Sequence, residues 1–306
     1  MKTRIVVSAV LLPIFFAVLF IFPLYILALL ISIIGAIAAF ELLHATGIYN
    51  KRILVYSIIS AVLTPMAVYL SSIAASYTDS SYSTLLLISL LFSIIFVLLC
   101  FLVIEVVLSF RLKSPVKKPG EDPDNINDQI SKKQIRFRQI PIVLSAGVLI
   151  PLLLSALIAL RALPYGHLFV LLPIVAAFLT DSGAYFTGVL IGKKKIFPTI
   201  SPNKTLEGFI GGIITGTIGM LLYGIIISYA SPLTVMFPVL ILYGIIGAVI
   251  TELGDLVFSL IKRKCNIKDY GRLIPGHGGA LDRFDSMTFC APTMFLLVMT
   301  IPAILY

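Results

Sequence analysis

The chain has 306 residues, of which 59% are hydrophobic and only 12% charged, where a soluble domain averages roughly 45–50% and 25%. Its mean hydropathy of +1.08 comes from apolar segments recurring from Ile5 to Leu305, which excludes a secreted domain, a coiled coil and a disordered protein. The net charge of +9 would suggest nucleic acid beside a soluble protein, but in a membrane protein it reports orientation first, so no nucleic-acid partner is expected.

A membrane helix needs about 20 mainly apolar residues, and such windows predict nine spans, at 5–21, 24–43, 53–72, 83–109, 140–160, 165–188, 205–230, 233–261 and 285–305. Lys2 and Arg4 before the first run imitate a signal peptide, but the apolar stretch continues past Pro23 to Phe40, which favours a hairpin of two spans. Near the end of the second span Glu41 and His44 lie three apart and read as a hydrogen-bonded pair. Residues 111–138 mix eight basic with four acidic residues and three prolines and lack an apolar face. They predict a solvated connection, which divides the chain into a four-span part (1–110), a polar loop (111–139) and a five-span catalytic part (140–306).

Charge tests the span count. With nine alternating spans, 22 of the 23 Lys and Arg fall on one side and Arg161 alone on the other. Basic residues collect in cytoplasmic loops, so the expected fold is an all-α integral membrane protein with its N-terminus cytoplasmic and its C-terminus outside. Cys100, Cys265 and Cys290 form no C-x-x-C pair and read as packing residues.

Acidic residues in or beside membrane spans are expensive and point to function. Glu41, Glu105, Asp181, Glu207, Glu252, Asp255, Asp282 and Asp285 all fall toward the cytoplasmic ends of their predicted helices. Glu252 and Asp255 are three apart, with Ser259 four further on, and so share a helix face. Asp282 and Asp285 share another. If spans eight and nine lie side by side, Asp255, Asp282 and Asp285 converge, and three carboxylates together suit a hard, oxygen-seeking cation such as magnesium. A second reading stays open, in which Lys262, Arg263 and Arg283 neutralise these acids as salt bridges.

Two loops suit phosphate. Residues 262–284 hold six cations, four glycines and a proline, a composition whose amides and side chains can surround phosphate oxygens. There His277, before Gly278 and Gly279, reads equally as a phosphate ligand or as an ordinary turn histidine. In the loop from Gly192 to Gly208, Ser201-Pro202 predicts an N-cap with proline at the first helical position, beside Lys204. Lys193, Lys194 and Lys195 read as membrane anchoring. Gly208, Gly212 and Gly216, repeating every four residues, predict close helix packing within the chain, with a homodimer contact as the weaker reading.

The run Ser259-Leu-Ile-Lys262-Arg263, Lys268-Asp269, Gly271, Ile274-Pro275, His277-Gly278-Gly279 and Asp282-Arg283-Phe284-Asp285 resembles the C-terminal pattern of phosphatidate cytidylyltransferases, also called CDP-diacylglycerol synthases. The resemblance extends through Gly254-Asp255, Ser201-Pro202, Lys204-Thr205, Glu207-Gly208 and the stretch Asp181–Phe186. It covers roughly residues 175–290, with Ser182 and Ala280 departing from the usual types. It implies an enzyme of the bacterial inner (cell) membrane that condenses CTP with phosphatidic acid at the cytoplasmic face, giving CDP-diacylglycerol and pyrophosphate with magnesium. By this resemblance Asp255, Asp282 and Asp285 hold one or two cations, and Lys262, Arg263, Lys268 and Arg283 neutralise polyphosphate. Ser201, Lys204 and Glu207 hold phosphate from the other side. A transporter would instead string its acids through mid-bilayer, whereas a transferase acting on a polyprenyl acceptor differs only in lipid-facing shape.

Overall fold

The computed structural model describes residues 9, 13–77, 139–271, 273 and 278–305. Predicted span four and the polar loop 111–138 lie outside the described residues, as do His277 and residues 5–8 and 10–12 of the first span, whose latter part is the helical segment 13–20. The described chain is mostly helical. Among the described residues six helices are long and apolar enough to cross a membrane, as expected of an all-α integral membrane protein.

Helix α1 (Leu24–Ala45) starts after Pro23, held extended. It closes with Gly47 at φ +79°, whose amide donates to the His44 carbonyl, while the Ile48 amide donates to that of Leu43. This six-to-one closure requires a left-handed residue, the conformation glycine adopts without strain. Helix α2 (Lys51–Tyr77) packs against α1. Pro65 within it removes one helical donor, and the Ser32 hydroxyl of α1 donates to the nearby Val62 carbonyl at 3.1 Å.

Helix α3 (Gln139–Ala162) widens into a π-helical turn at Ser145–Leu149, where Gly147 lies against Ser57 of α2. Its Arg161 donates to the Leu19 carbonyl at 2.8 Å, satisfying an acceptor at the end of segment 13–20.

Helices α4 (Gly166–Ile191), α5 (Leu206–Ala230), α6 (Phe237–Lys264) and α7 (Leu281–Thr300) form the half that carries the site. The glycine stripe of α5 does what its spacing predicted within the chain. Gly208 lies against Gly188 and the Ala184 carbonyl, and Gly212 against Thr180 and Ala184, so α4 and α5 approach backbone to backbone. Helix α7 starts four residues before the predicted span and is not among the six. Two short strands, β1 (Thr234–Val235) and β2 (Ile304–Leu305), pair antiparallel and join the α5–α6 connection to the end of α7.

The expected cap at Ser201 is not formed. Residues 201–204 make a turn closed by the Lys204 amide on the Ser201 carbonyl, and α5 begins at Leu206 with Thr205 as its cap, accepting from the Gly208 amide at 3.1 Å. A threonine three residues before Gly208 satisfies an orphan helix donor directly, and this outcompetes the Ser-Pro signal. The Glu41–His44 pair is also not formed. His44 stacks on Phe40 and meets Tyr49 edge-on, while the Glu41 carboxylate turns toward α7.

Candidate functional site

One end of the bundle holds a cavity of about 730 Å³. It forms where the last turns of α4 and α6 meet the first turns of α5 and α7, with segment 192–205 lying across it. Six acids (Asp181, Glu252, Asp255, Asp269, Asp282 and Asp285) and four bases (Lys195, Lys204, Lys262 and Arg283) line it. Apolar side chains of Ala184, Tyr185, Val189, Phe197 and Phe209 also line it. Tyr185 and Val189 are about two-thirds exposed, at 66% and 67%, on the outer surface of α4.

Within this cavity the acids divide by partner. Lys204 reaches Glu252 at 2.5 Å and Asp255 at 2.8 Å. Burial alone would lower its ammonium, but the two carboxylates outweigh that and hold it above the usual lysine range. On α6, Ser259 donates to Asp255 at 3.4 Å, as the shared helix face predicted.

The Asp282 carboxylate is fully engaged. One oxygen meets Lys262 at 2.8 Å, and the other accepts the amides of Tyr270 at 2.8 Å and Gly279 at 3.1 Å. Lys262 also stands 5.5 Å from the centre of the Tyr270 ring, whose hydroxyl donates to the Phe258 carbonyl. Burial, aided by Cys265, Asp282 and Asp285, pushes this phenol above its ordinary value, so it stays a neutral donor.

Asp285 and Asp181 are different again. Asp285 accepts the Ser286 amide at 2.8 Å, and the Ser286 hydroxyl lies 3.3 Å from Asp181 and 3.5 Å from Asp285. Among the described residues neither acid has a basic partner at ion-pair distance. Likewise, among those residues no three His, Cys, Asp or Glu side chains are grouped closely enough to hold a metal ion as they stand.

Of the residues singled out in the sequence, Asp255, Asp282, Asp285, Lys262, Arg283, Ser201 and Lys204 all line the cavity. Glu207 faces segment 192–205 instead and accepts the Lys193 and Lys194 amides at 3.0 and 3.2 Å, a first-turn acid clipping the preceding loop. Arg263 donates to the Ile200 carbonyl at 3.1 Å, and neither it nor Lys268 lines the cavity. Gly279 gives its amide to Asp282, and Gly278 adopts φ +86° beside it. The site list drawn from sequence omitted Asp181 and Glu252. Their signals were Asp181's place in the Asp181–Phe186 stretch and Glu252's position one turn before Asp255.

Comparison with known proteins matches residues 2–301 to the model of the Cytidylyltransferase family. Among curated relatives, the phosphatidate cytidylyltransferase of Bacillus subtilis (strain 168) is 39% identical over 168 residues, 55% of this chain and 61% of that protein. That of Staphylococcus saprophyticus is 44% identical over 133 residues, 44% of this chain and 50% of the relative. That of Staphylococcus haemolyticus is 45% identical over 130 residues, 42% and 48% respectively. The chain thus spans between about half and 61% of the length of these relatives.

Proposed function

Because this chain belongs to the Cytidylyltransferase family, we propose that it transfers CMP from CTP to phosphatidic acid, forming CDP-diacylglycerol and pyrophosphate. The observation that carries this reading is the mixed lining of the cavity. Carboxylates and lysines share it with apolar side chains, of which Tyr185 and Val189 are also exposed on the outer surface of α4. Polyphosphate suits the charged residues, and acyl chains entering sideways between helices suit the apolar ones. The volume lies within the range of about 300–1,000 Å³ typical of small-molecule sites.

The reaction joins an oxygen of the lipid phosphate to the α-phosphorus of CTP and breaks its bond to the β-phosphate, so pyrophosphate departs in line. A phosphate monoester is largely ionised near neutral pH, and the nucleophile needs positioning more than a base. Lys195, Lys204 and Arg283 line the cavity where they would neutralise phosphate oxygens, with Ser201 beside them.

A divalent cation fits the chemistry of the donor set. Asp181 and Asp285, joined through Ser286, offer hard oxygens with no basic partner among the described residues, and Asp255 lines the same cavity. Asp255, Asp285 and Asp181 would hold magnesium, which when bound supplies charge neutralisation on the polyphosphate. Asp282, with both oxygens consumed, would hold the α6–α7 loop in place. The full architecture is nine spans with the N-terminus and this cavity at the cytoplasmic face of a bacterial inner membrane, where CTP is available, and the C-terminus outside.

The test is labelled CTP with purified protein and phosphatidic acid, with and without magnesium. Lipid-linked CMP is the expected product. None with any divalent ion would sink the proposal, and transfer to a polyprenyl phosphate instead would reassign the acceptor.

A further inference from the structure

Glu41 lies in α1, far in sequence from the cavity, and its side chain is not among those that line it. It is nonetheless buried, at 4% exposure. Its two carboxylate oxygens accept the amides of Ala280 at 3.0 Å and Leu281 at 2.9 Å, across separations of 239 and 240 residues. Those amides are orphan donors at the start of α7, and no side chain of that helix's own cap residue satisfies them. Asp282 and Asp285 follow within the next turn.

The cradle around Glu41 is shaped for it. A Cβ on Gly279 would lie 2.5 Å from one carboxylate oxygen and 2.6 Å from the carboxyl carbon, and a Cβ on Gly271 would lie 2.8 Å from that carbon. Glycine at both places leaves the volume the carboxylate fills. The negative charge also sits at the positive end of the α7 dipole.

We infer that Glu41 is a positioning residue, supplied by the N-terminal helices, that fixes the start of α7 and through it the placement of Asp282 and Asp285 in the cavity. The catalytic half is therefore incomplete without α1. Its catalytic readout rests on the CMP-transfer reading proposed above.

The experiment uses the full-length protein in lipid nanodiscs, with Glu41→Gln, Glu41→Ala, Gly279→Ala and the Glu41→Ala/Gly279→Ala pair. His44→Ala, one turn along the same helix, is the control. Glu41→Gln keeps the shape but retains only one acceptor oxygen. A displacement of about 1 Å can cost about 100-fold, so turnover should fall about 10-fold in Glu41→Gln and about 100-fold in Glu41→Ala. KM for CTP and for lipid should rise less than turnover falls, since Lys195, Ser201 and Lys204 lie outside α7 and keep their places. Amide hydrogen exchange should quicken in 278–284 and not in α2 or α3. Gly279→Ala should slow the otherwise unchanged chain yet cost nothing further once Glu41 is alanine, because the volume it needs has been vacated.

Wild-type turnover in Glu41→Ala overturns the inference. So does exchange that quickens equally across α1–α3, or failure of both Glu41 variants to fold, since either makes Glu41 a general stability element. If the unchanged chain transfers no CMP, the functional reading fails, and the local exchange and the Gly279 cycle, read by exchange, still decide whether Glu41 fixes α7.

Discussion

Asp282 and Asp285 are three residues apart on one helix, yet their surroundings predict opposite outcomes when each is changed. The Asp282 side chain is 3% exposed and holds Lys262 and two backbone amides. Asp282→Ala strands all three donors. An orphaned buried amide costs about 1–3 kcal/mol, and breaking one side of a buried ion pair about 3–5 kcal/mol. Because one rearrangement and one entry of water relieve these together, the net loss should be about 3–5 kcal/mol rather than the sum. Asp282→Asn, which keeps an acceptor, should lose less. Asp285 has the Ser286 amide and, among the described residues, no cation at ion-pair distance, so Asp285→Asn removes an uncompensated charge and should shift stability by no more than about 1 kcal/mol. It should still abolish CMP transfer. The assay is denaturant unfolding of the purified chain followed by helical circular dichroism, because the sequence has no tryptophan. Equal midpoints for Asp282→Ala and the unchanged chain, or an Asp285→Asn midpoint as low as that of Asp282→Ala, would refute the reasoning.

Three further expectations concern the segments that close the cavity. Thr205→Ala removes the α5 cap and should cost about 1 kcal/mol, with Thr205→Ser restoring most of it, both read from the same unfolding midpoints. Lys204→Met leaves Glu252 and Asp255 without their shared cation and should lower CMP transfer about 100-fold or more, while Lys204→Arg retains part of the rate; a wild-type rate for Lys204→Met would remove it from the site. In a Cys100→Ser background, Cys265 should react with an impermeant maleimide in opened cells and not in intact ones, while buried Cys290 stays unreacted until unfolding. Burial pushes the Cys265 thiol up, so its thiolate fraction and its labelling rate should keep rising with pH beyond the point where an ordinary cysteine levels off.

The spans were legible because about 20 consecutive apolar residues have few alternatives to a membrane helix, and all six recovered helices begin and end within five residues of their predicted bounds. The acids were legible as a group because spacing assigns each to a helix face. Spacing does not say which cation arrives at which acid. Asp255 and Asp282 were read as equivalent, yet Lys204 from a different loop takes one and Lys262 takes the other. Glu41 was invisible as a partner of α7 because nothing local marks a contact made 239 residues away. The π-helical turn at Ser145–Leu149 has no composition that distinguishes it from the helix on either side.

The short ladder between β1 and β2 has a mechanical consequence for the cavity. At that end the Met236 amide also donates to the Ala303 carbonyl, and the Tyr243 hydroxyl holds the Ile301 carbonyl at 2.9 Å. Helix α7 is therefore tethered beyond its last turn as well as before its first. It cannot slide along its own axis without breaking bonds at both ends, so it acts as a fixed rail. Segment 192–205, held by the Glu207 clip, the Arg263 contact and the Lys204 ion pairs to α6, therefore lies against a helix whose axial position is fixed independently of it.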